Sequence, residues 1–303
     1  MSAASVQSRL ASLNINKSPL SPLKAPTLSP LVKQLLDRNN KEHDIYFGDS
    51  HFHNHFPHAL LSQFALGAPE SRLKKEWEIE DYLNPLPPKA PTELTDNNWT
   101  EYIGKDTFYH NYLDYFKQKI AADGTQKTVL NYALSETLLP SFVSGAVHPL
   151  IHTGFGLEFD SDIVVAEGLA EAAVHSPTFA PVVDIPLYSK PITGKKSLLQ
   201  IVDEVYNDAV FNGVVQYTDG TKSQSVVQSQ KASEAIKQYV MQWGFSDSQD
   251  GLSKAYSELF TLTSHFVASS AFAPPYIVND PKYRDKKFRP LLDFFLVYPL
   301  YPS

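Results

Sequence analysis

Apolar residues recur at helical spacing along most of this chain, and prolines cut the recurrence into short lengths. Such a pattern admits a fold of short helices packed on one another and leaves little room for a sheet. Leu31, Val32, Leu35 and Leu36 open an amphipathic helix. Pro57 to Leu66 keeps helical spacing and stops at Gly67, a residue type that ends helices. Ser71 to Leu83 is charged and reads as a surface helix. Asn84-Pro-Leu-Pro-Pro-Lys-Ala-Pro91 cannot continue it and reads as an extended loop. Thr95 and Asp96 can cap the next segment. Phe108, Tyr109, Tyr112, Tyr115 and Phe116 form one stripe. Val129, Leu130, Ala133, Leu134 and Leu138 form a second, which halts at Pro140. Val164 to Val174 is alanine-rich and helical. Leu198 to Val210, Ala232 to Trp243, Leu252 to Phe272 and Phe288 to Tyr298 come after it. Strict alternation is scarce, and Val214-Val-Gln-Tyr217 is the single expected strand. The expectation is mainly α: a single helical domain with long Pro-rich loops over residues 31–303, behind a Ser/Pro/Leu-rich leader, residues 1–30, read as a disordered tail.

Composition narrows the function. With 43% hydrophobic and 19% charged residues the chain suits a globular protein. A net charge of −7 and the lack of a basic stripe argue against a nucleic-acid partner. Arg72, Lys74 and Lys75 are followed at once by Glu76, Glu78, Glu80 and Asp81, the pattern of a solvated helix face. Cysteine is absent, so disulfides and thiolate metal sites are excluded. No apolar run approaches the roughly 18 residues that span a bilayer, and no membrane partner is expected. Arg9, Lys17 and Lys24, with no acidic residue before Asp37, make the leader faintly similar to a transit peptide. The expected location is cytoplasmic, with mitochondrial as the alternative.

Six of the ten histidines fall in two short clusters, His51-Phe-His53-Asn-His55-Phe-Pro-His58 and His148-Pro-Leu-Ile-His152. Proline favours the first turn of a helix, so each cluster is expected where a loop enters one. His148 would cap its helix with His152 one turn in, and His55 and His58 would flank the other entry. These spacings let both imidazoles of a pair reach one point. Neutral imidazole is the commonest protein metal ligand, and the positive end of a helix keeps the ring neutral. His55, His58, His148 and His152 are therefore the candidate metal ligands. His51 and His53 are weaker, His110 is expected in solvent, His43 in a loop, His175 at a helix end, and His265 in an apolar helix. Glu158 could be a carboxylate ligand or the partner that orients an imidazole. Gly154-Phe-Gly156 is no dinucleotide fingerprint, because Phe159 occupies the third glycine position and no strand precedes it.

Four blocks of the chain stand together: Leu35-Leu-Asp-Arg-Asn-Asn40 with Ile45-Tyr-Phe47; Phe52-His-Asn-His55-Phe-Pro-His58-Ala-Leu-Leu with Leu66-Gly-Ala68; Trp99-Thr-Glu-Tyr-Ile-Gly104 with Tyr109, Tyr112 and Phe116; and His148-Pro-Leu-Ile-His152-Thr-Gly-Phe-Gly-Leu-Glu158 with Ala166-Glu-Gly-Leu-Ala170. These blocks resemble the questin oxidase-like family. The resemblance covers residues 31–295 and is strongest before 175. It implies an oxidoreductase of secondary metabolism, a Baeyer–Villiger-like oxygenase that opens the ring of an aromatic polyketide ketone such as an anthraquinone. It further implies O2 as co-substrate, non-heme iron on His55, His58, His148 and His152, and NADPH. Leu291-Leu-Asp-Phe-Phe-Leu296 resembles a block that, in the family, leads into a Met-His pair and a further helical region. Here Val297-Tyr-Pro-Leu-Tyr-Pro-Ser303 follows, so a domain shortened at its C-terminus, without later ligands, is expected. Two alternatives stand beside the oxygenase. One is a non-catalytic shortened relative. The other is an amidohydrolase-like metal hydrolase, because Asp49-Ser-His51-Phe-His53 resembles a paired-histidine strand.

Overall fold

Ser29 starts the first helix among the described residues by accepting a hydrogen bond from the Val32 amide at 3.3 Å, with Pro30 in the first turn. In the computed structural model, residues 25–262 are described, apart from 49–50, 80–81, 189, 192, 217, 220–221, 247, 249, 252, 256 and 260–261. Helix α1 (Pro30–Glu42) buries Val32, Leu35 and Leu36, then Asn39 and Asn40, so its inner face turns from apolar to polar along its length. A short hairpin comes next, with β1 (Tyr46–Phe47) antiparallel to β2 (Phe52–His53) and Tyr46 opposite His53. Helix α2 (Phe56–Ala65) has Pro57 in its first turn, and Gly67 beyond its end takes φ +79°, the left-handed value that Gly adopts freely. Helix α3 (Glu70–Ile79) is largely exposed and buries Leu73 and Glu76. The Pro-rich segment 84–91 is extended, and Asn111 pins it through bonds with Ala90 and Thr92.

Helix α4 (Tyr109–Asp123) buries the aromatic stripe Tyr109, Tyr112, Tyr115 and Phe116. Helices α5 (Thr125–Tyr132) and α6 (Leu139–Phe142) come after it. Pro140 does not halt the second stripe. The helix has already ended at Tyr132, and Pro140 sits in the first turn of α6, where its missing N–H costs nothing. Helix α7 (His148–Glu158) and helix α8 (Asp162–Val174) form the centre. Helix α8 buries eleven residues, Val164 to Val174, and a helix that is largely apolar all round must be covered on every side. Helices α7 and α4 pack against it.

Glycines set how closely α7 and α8 approach. A Cβ at Gly168 would lie 2.6 Å from the Thr153 amide nitrogen and collide with its hydroxyl. A Cβ at Gly156 would lie 2.6 Å from the Val165 nitrogen. Only hydrogen fits at either point, so the two backbones meet nearly in contact.

The fold divides after Pro177 into two compact units. In the second, α9 (Ile185–Tyr188) is followed by α10 (Leu198–Asn207), α11 (Lys222–Gln228) and α12 (Gln230–Val240), and these last three share a core with Val182, Ile201, Val205, Phe211, Val226, Val227 and Ile236. Ser197 and Gln200 form a reciprocal capping box at the start of α10.

Mainly α is the observed class, with twelve α-helices and one two-stranded sheet among the described residues. The strand expected at Val214–Tyr217 does not form: Val214 lies in a turn and Gln216 in coil. Four residues with no partner strand cannot satisfy their backbone groups as a sheet. The barrel frame that a paired-histidine hydrolase needs is likewise absent among the described residues. Most of the leader, most of Leu252–Phe272 with His265, and all of Phe288–Tyr298 lie outside the described residues. Among those described, no helix is long and apolar enough to cross a membrane.

Candidate functional site

Two helix entries and one buried helix face bring the histidines together. Asn54 is buried and its Oδ1 accepts from the Phe56 amide at 3.0 Å, which starts α2 and leaves the imidazole of His55 uncommitted to capping. His58 sits one turn into α2. His148 is the first residue of α7 rather than its cap, because Gly145, Ala146 and Val147 all take left-handed φ values near +55°. That conformation is costly for Ala and more so for β-branched Val, so the turn before His148 is strained. His152 lies one turn later and is buried.

The four sequence-predicted histidines meet in pairs that cross between the helices. His55 Nε2 lies 2.7 Å from His148 Nε2, and His58 Nε2 lies 3.1 Å from His152 Nδ1. His55 is exposed while His152 is 1% exposed, so the cluster runs from solvent into the interior. His148 Nδ1 stands 2.6 Å from the Gly145 carbonyl, which can only accept. Its proton is therefore on Nδ1, and its Nε2 faces His55 bare.

The cluster extends beyond those four. His53, carried by the hairpin, stacks flat on His148 with ring centroids 4.1 Å apart, and His175 at the end of α8 also stacks on His53, at 5.5 Å. Phe155 stacks on His58 at 5.1 Å. Glu167 and Glu171, one turn apart on α8, are 2% and 0% exposed. Glu167 Oε2 lies 2.9 Å from His152 Nε2, and its Oε1 accepts from Asn40 Nδ2 at 2.7 Å. Glu171 lies 3.5 Å from His53 Nε2 and 3.8 Å from His152 Nδ1. His53 Nε2 and both Glu171 oxygens are buried without a hydrogen-bond partner.

Burial controls the charges. It pushes His53 down to about 2 and His148 down to about 4, with neighbouring imidazoles adding to the effect, and it holds His55, His58 and His175 below the ordinary histidine range. Burial, then the charge of Glu167, holds Glu171 well above the carboxylate range. The result is a set of neutral imidazole donors beside two buried carboxylates. Burying a carboxylate costs several kcal/mol unless it is compensated.

The donor chemistry fits a divalent transition metal, since imidazole and carboxylate are its usual ligands when thiolate is lacking. The unpartnered His53 Nε2 and Glu171 oxygens are the atoms a cation would satisfy. Among the described residues, however, no three donors converge on one point as they stand. Two nitrogens on one ion at about 2.1 Å are about 3 Å apart or more, so the His55–His148 contact must open slightly to admit one.

His110 and Glu158 fall differently from expectation, while His51 and His175 lie where the sequence places them. Glu158 is exposed on the last turn of α7 and reaches no imidazole among the described residues, so within them it is neither ligand nor orienting partner. The carboxylates come from α8 instead. Their signal in the sequence is two acidic residues one turn apart in an otherwise apolar helix. His51 is exposed beside Asp106, outside the cluster. His110 is only partly exposed and holds the Pro87 carbonyl at 2.9 Å, so it fastens the Pro-rich loop instead of standing in solvent. His43 ends α1 and stacks on Trp77. Gly154 and Gly156 lie inside α7, so they form no phosphate-binding loop.

The sequence profile of the questin oxidase-like family matches residues 52–301. A Baeyer-Villiger monooxygenase of Cryptosporiopsis sp. (strain 8999) is 29% identical over 253 residues, 78% of this chain and 56% of the relative. A Baeyer-Villiger oxidase of Pestalotiopsis fici is 32% identical over 204 residues, 62% of this chain and 46% of the relative. A questin oxidase of Aspergillus fumigatus is 33% identical over 154 residues, 48% of this chain and 34% of the relative. The chain spans about half the length of the curated relatives it matches, or less. With a match running over most of its length, this chain belongs to the questin oxidase-like family.

Proposed function

We propose that the chain is an oxidoreductase, a metal-dependent oxygenase that inserts oxygen beside the carbonyl of an aromatic polyketide ketone, giving a lactone whose hydrolysis by water opens the ring. The observation that carries this reading is the meeting of His55, His58, His148 and His152, with His53 Nε2 and Glu171 left unpartnered among them. Those four histidines would hold non-heme iron. The iron would supply the means of activating O2, which does not react readily with a closed-shell ketone.

The chain's own residues supply the setting. Burial keeps the imidazoles neutral, the state that ligation requires. Burial holds the Glu171 carboxyl well above the usual range, which favours its protonated form, and places it beside His53 as a proton donor for a group bound there. His55 marks the solvent edge through which a substrate reaches the cluster, and Phe155 stacks on His58. Oxygen insertion into a ketone with loss of water needs two electrons. NADPH is the source that family membership suggests, and it would bind without a glycine fingerprint.

The test uses the whole chain loaded with Fe(II) under nitrogen. Stoichiometric iron that disappears in a His148→Ala/His152→Ala double variant, together with anthraquinone-dependent O2 uptake, is expected. Folded protein that retains no transition metal would overturn the reading. A second reading, a non-catalytic relative, draws on the absence of three converging donors among the described residues. Its signature is folded protein with neither metal nor oxygen uptake.

A further inference from the structure

Both histidines of α7 face the cluster, yet they are held by different partners. His148 is fixed by a backbone carbonyl on its Nδ1. His152 has Glu167 on its other ring nitrogen, Nε2, at 2.9 Å, and both side chains are almost fully buried. We propose that Glu167 is a positioning residue: it takes the Nε2 proton of His152 in a hydrogen bond and so commits the bare Nδ1 to the histidine cluster. This rests on the reading of the cluster as a metal centre, which it deepens.

The carboxylate is itself anchored. Oε1 accepts from Asn40 Nδ2 at 2.7 Å, with Asn39 Nδ2 at 3.5 Å. Asn40 Oδ1 in turn accepts from Lys117, and Asn39 Oδ1 accepts from Asn54 Nδ2 at 3.0 Å. The Asn39 and Asn40 amides and the His152 ring are donors aimed at Glu167, so the carboxylate has acceptor work at both oxygens. A neutral imidazole carries one proton. With it on Nε2, the lone pair of Nδ1 points at His58 Nε2, 3.1 Å away, on the side of Glu171. The opposite tautomer would set a nitrogen lone pair against a carboxylate oxygen at 2.9 Å. The backbone leaves little slack, because Gly168, next to Glu167, meets Thr153, next to His152, with room only for hydrogen. A carboxylate that grips the far nitrogen of a ligating imidazole fixes its orientation and raises its basicity.

The test begins with the metal-free, 15N-labelled full chain, whose histidine tautomers are read from long-range proton–nitrogen correlations. The His152 signal is identified by its loss in His152→Gln. The expected result is a proton on Nε2 and none on Nδ1. Glu167→Gln keeps one accepting oxygen for which Asn40 and His152 compete, so it should retain this tautomer in part, while Glu167→Leu should lose it. Fe(II) affinity, measured under nitrogen against a competing chelator, should fall on the order of 10–100-fold in Glu167→Leu and far less in Glu167→Gln. A proton found on Nδ1 in the unsubstituted chain overturns the proposal, as does a Glu167→Leu variant with unchanged tautomer and unchanged affinity. Should that variant fail to fold, the tautomer of the unsubstituted chain still decides. If the chain binds no iron but shows the Nε2 proton and loses it in Glu167→Leu, the metal reading fails while the positioning of His152 by Glu167 stands.

Discussion

The imidazole of His53 lies on that of His148 with centroids 4.1 Å apart and planes 10° from parallel. Two rings so close cannot both become imidazolium without repelling each other in a poorly solvated interior. Burial already holds His53 to about 2 and His148 to about 4.

Acid should therefore unfold the metal-free chain early. Each of these histidines has a folded value below its unfolded value, so the unfolded state takes up the proton first as pH falls through about 6.5. The stability each contributes is present above that pH and drains away below it. The loss approaches about 1.4 kcal/mol per pH unit for each group until its folded value is reached. His53 and His148 together should give nearly twice that slope between about pH 5.5 and 4. Glu171 works the other way, since its folded value is raised and it gains stability as pH falls toward 4.5. Urea unfolding midpoints at pH 7, 5.5 and 4.5 check this, and His53→Gln should flatten the curve. A flat profile in the unsubstituted chain would contradict the buried, neutral state of the stack.

The glycines between α7 and α8 offer a matched pair. Gly168→Ala places a methyl against Thr153, and Gly154→Ala on the exposed side of α7 meets nothing within 4 Å. The first should cost about 1–3 kcal/mol by overpacking and weaken metal uptake, since it displaces His152 from Glu167. The second should be neutral or stabilise by about 0.5–1 kcal/mol, because alanine loses less entropy in a helix. Thermal melts and iron stoichiometry on both variants separate helix approach from helix propensity.

Gly145 is confined twice, by φ +56° and by the ring of His175 that a Cβ would strike. Gly145→Ala should therefore be destabilising by more than the about 1–2 kcal/mol of left-handed strain alone. In a His175→Ala background the ring is gone and only the strain remains, so the same substitution should cost less. Four urea curves give the coupling energy. Equal costs in the two backgrounds would place His175 elsewhere.

Helix positions are legible in the sequence because apolar stripes and prolines act locally: Pro30, Pro57 and Pro149 all sit in first turns. Pro140 shows the limit. The same residue type that ends one helix starts another, and the stripe before it does not say which. The four histidines are legible as a set, but their pairing is not. It depends on how α2 crosses α7, and Gly156 and Gly168 help set where α7 itself lies against α8. His53 is hard to rank from sequence because its lead-in is a two-residue strand, too short to leave an alternating pattern. Glu158 is close to His152 along the chain, yet its place on the last turn of α7 turns it out to solvent. Glu167 and Glu171 reach the cluster from a different helix, and only their cost in an apolar setting marks them.

That cost bears on stability as well. Glu171 is fully buried, both its oxygens lack a hydrogen-bond partner, and its carboxyl is held well above the usual range. Without a cation, the folded chain must keep it protonated or bury its charge, while the unfolded chain ionises it freely above about pH 4.5. Its folded value is raised, so stability falls as pH rises from the unfolded value toward the folded one. Glu171→Gln removes that burden. In the metal-free chain the variant should match the unsubstituted one near pH 4.5 and exceed it as pH rises, by up to about 1.4 kcal/mol for each pH unit above about 4.5 until the folded value is reached. Loading with Fe(II) should shrink or reverse the advantage, because the cation compensates a carboxylate and gains less from an amide. A Glu171→Gln variant less stable than the unsubstituted metal-free chain at pH 8 would mean that the carboxylate already has a partner, and that the cluster does not require a cation to complete it.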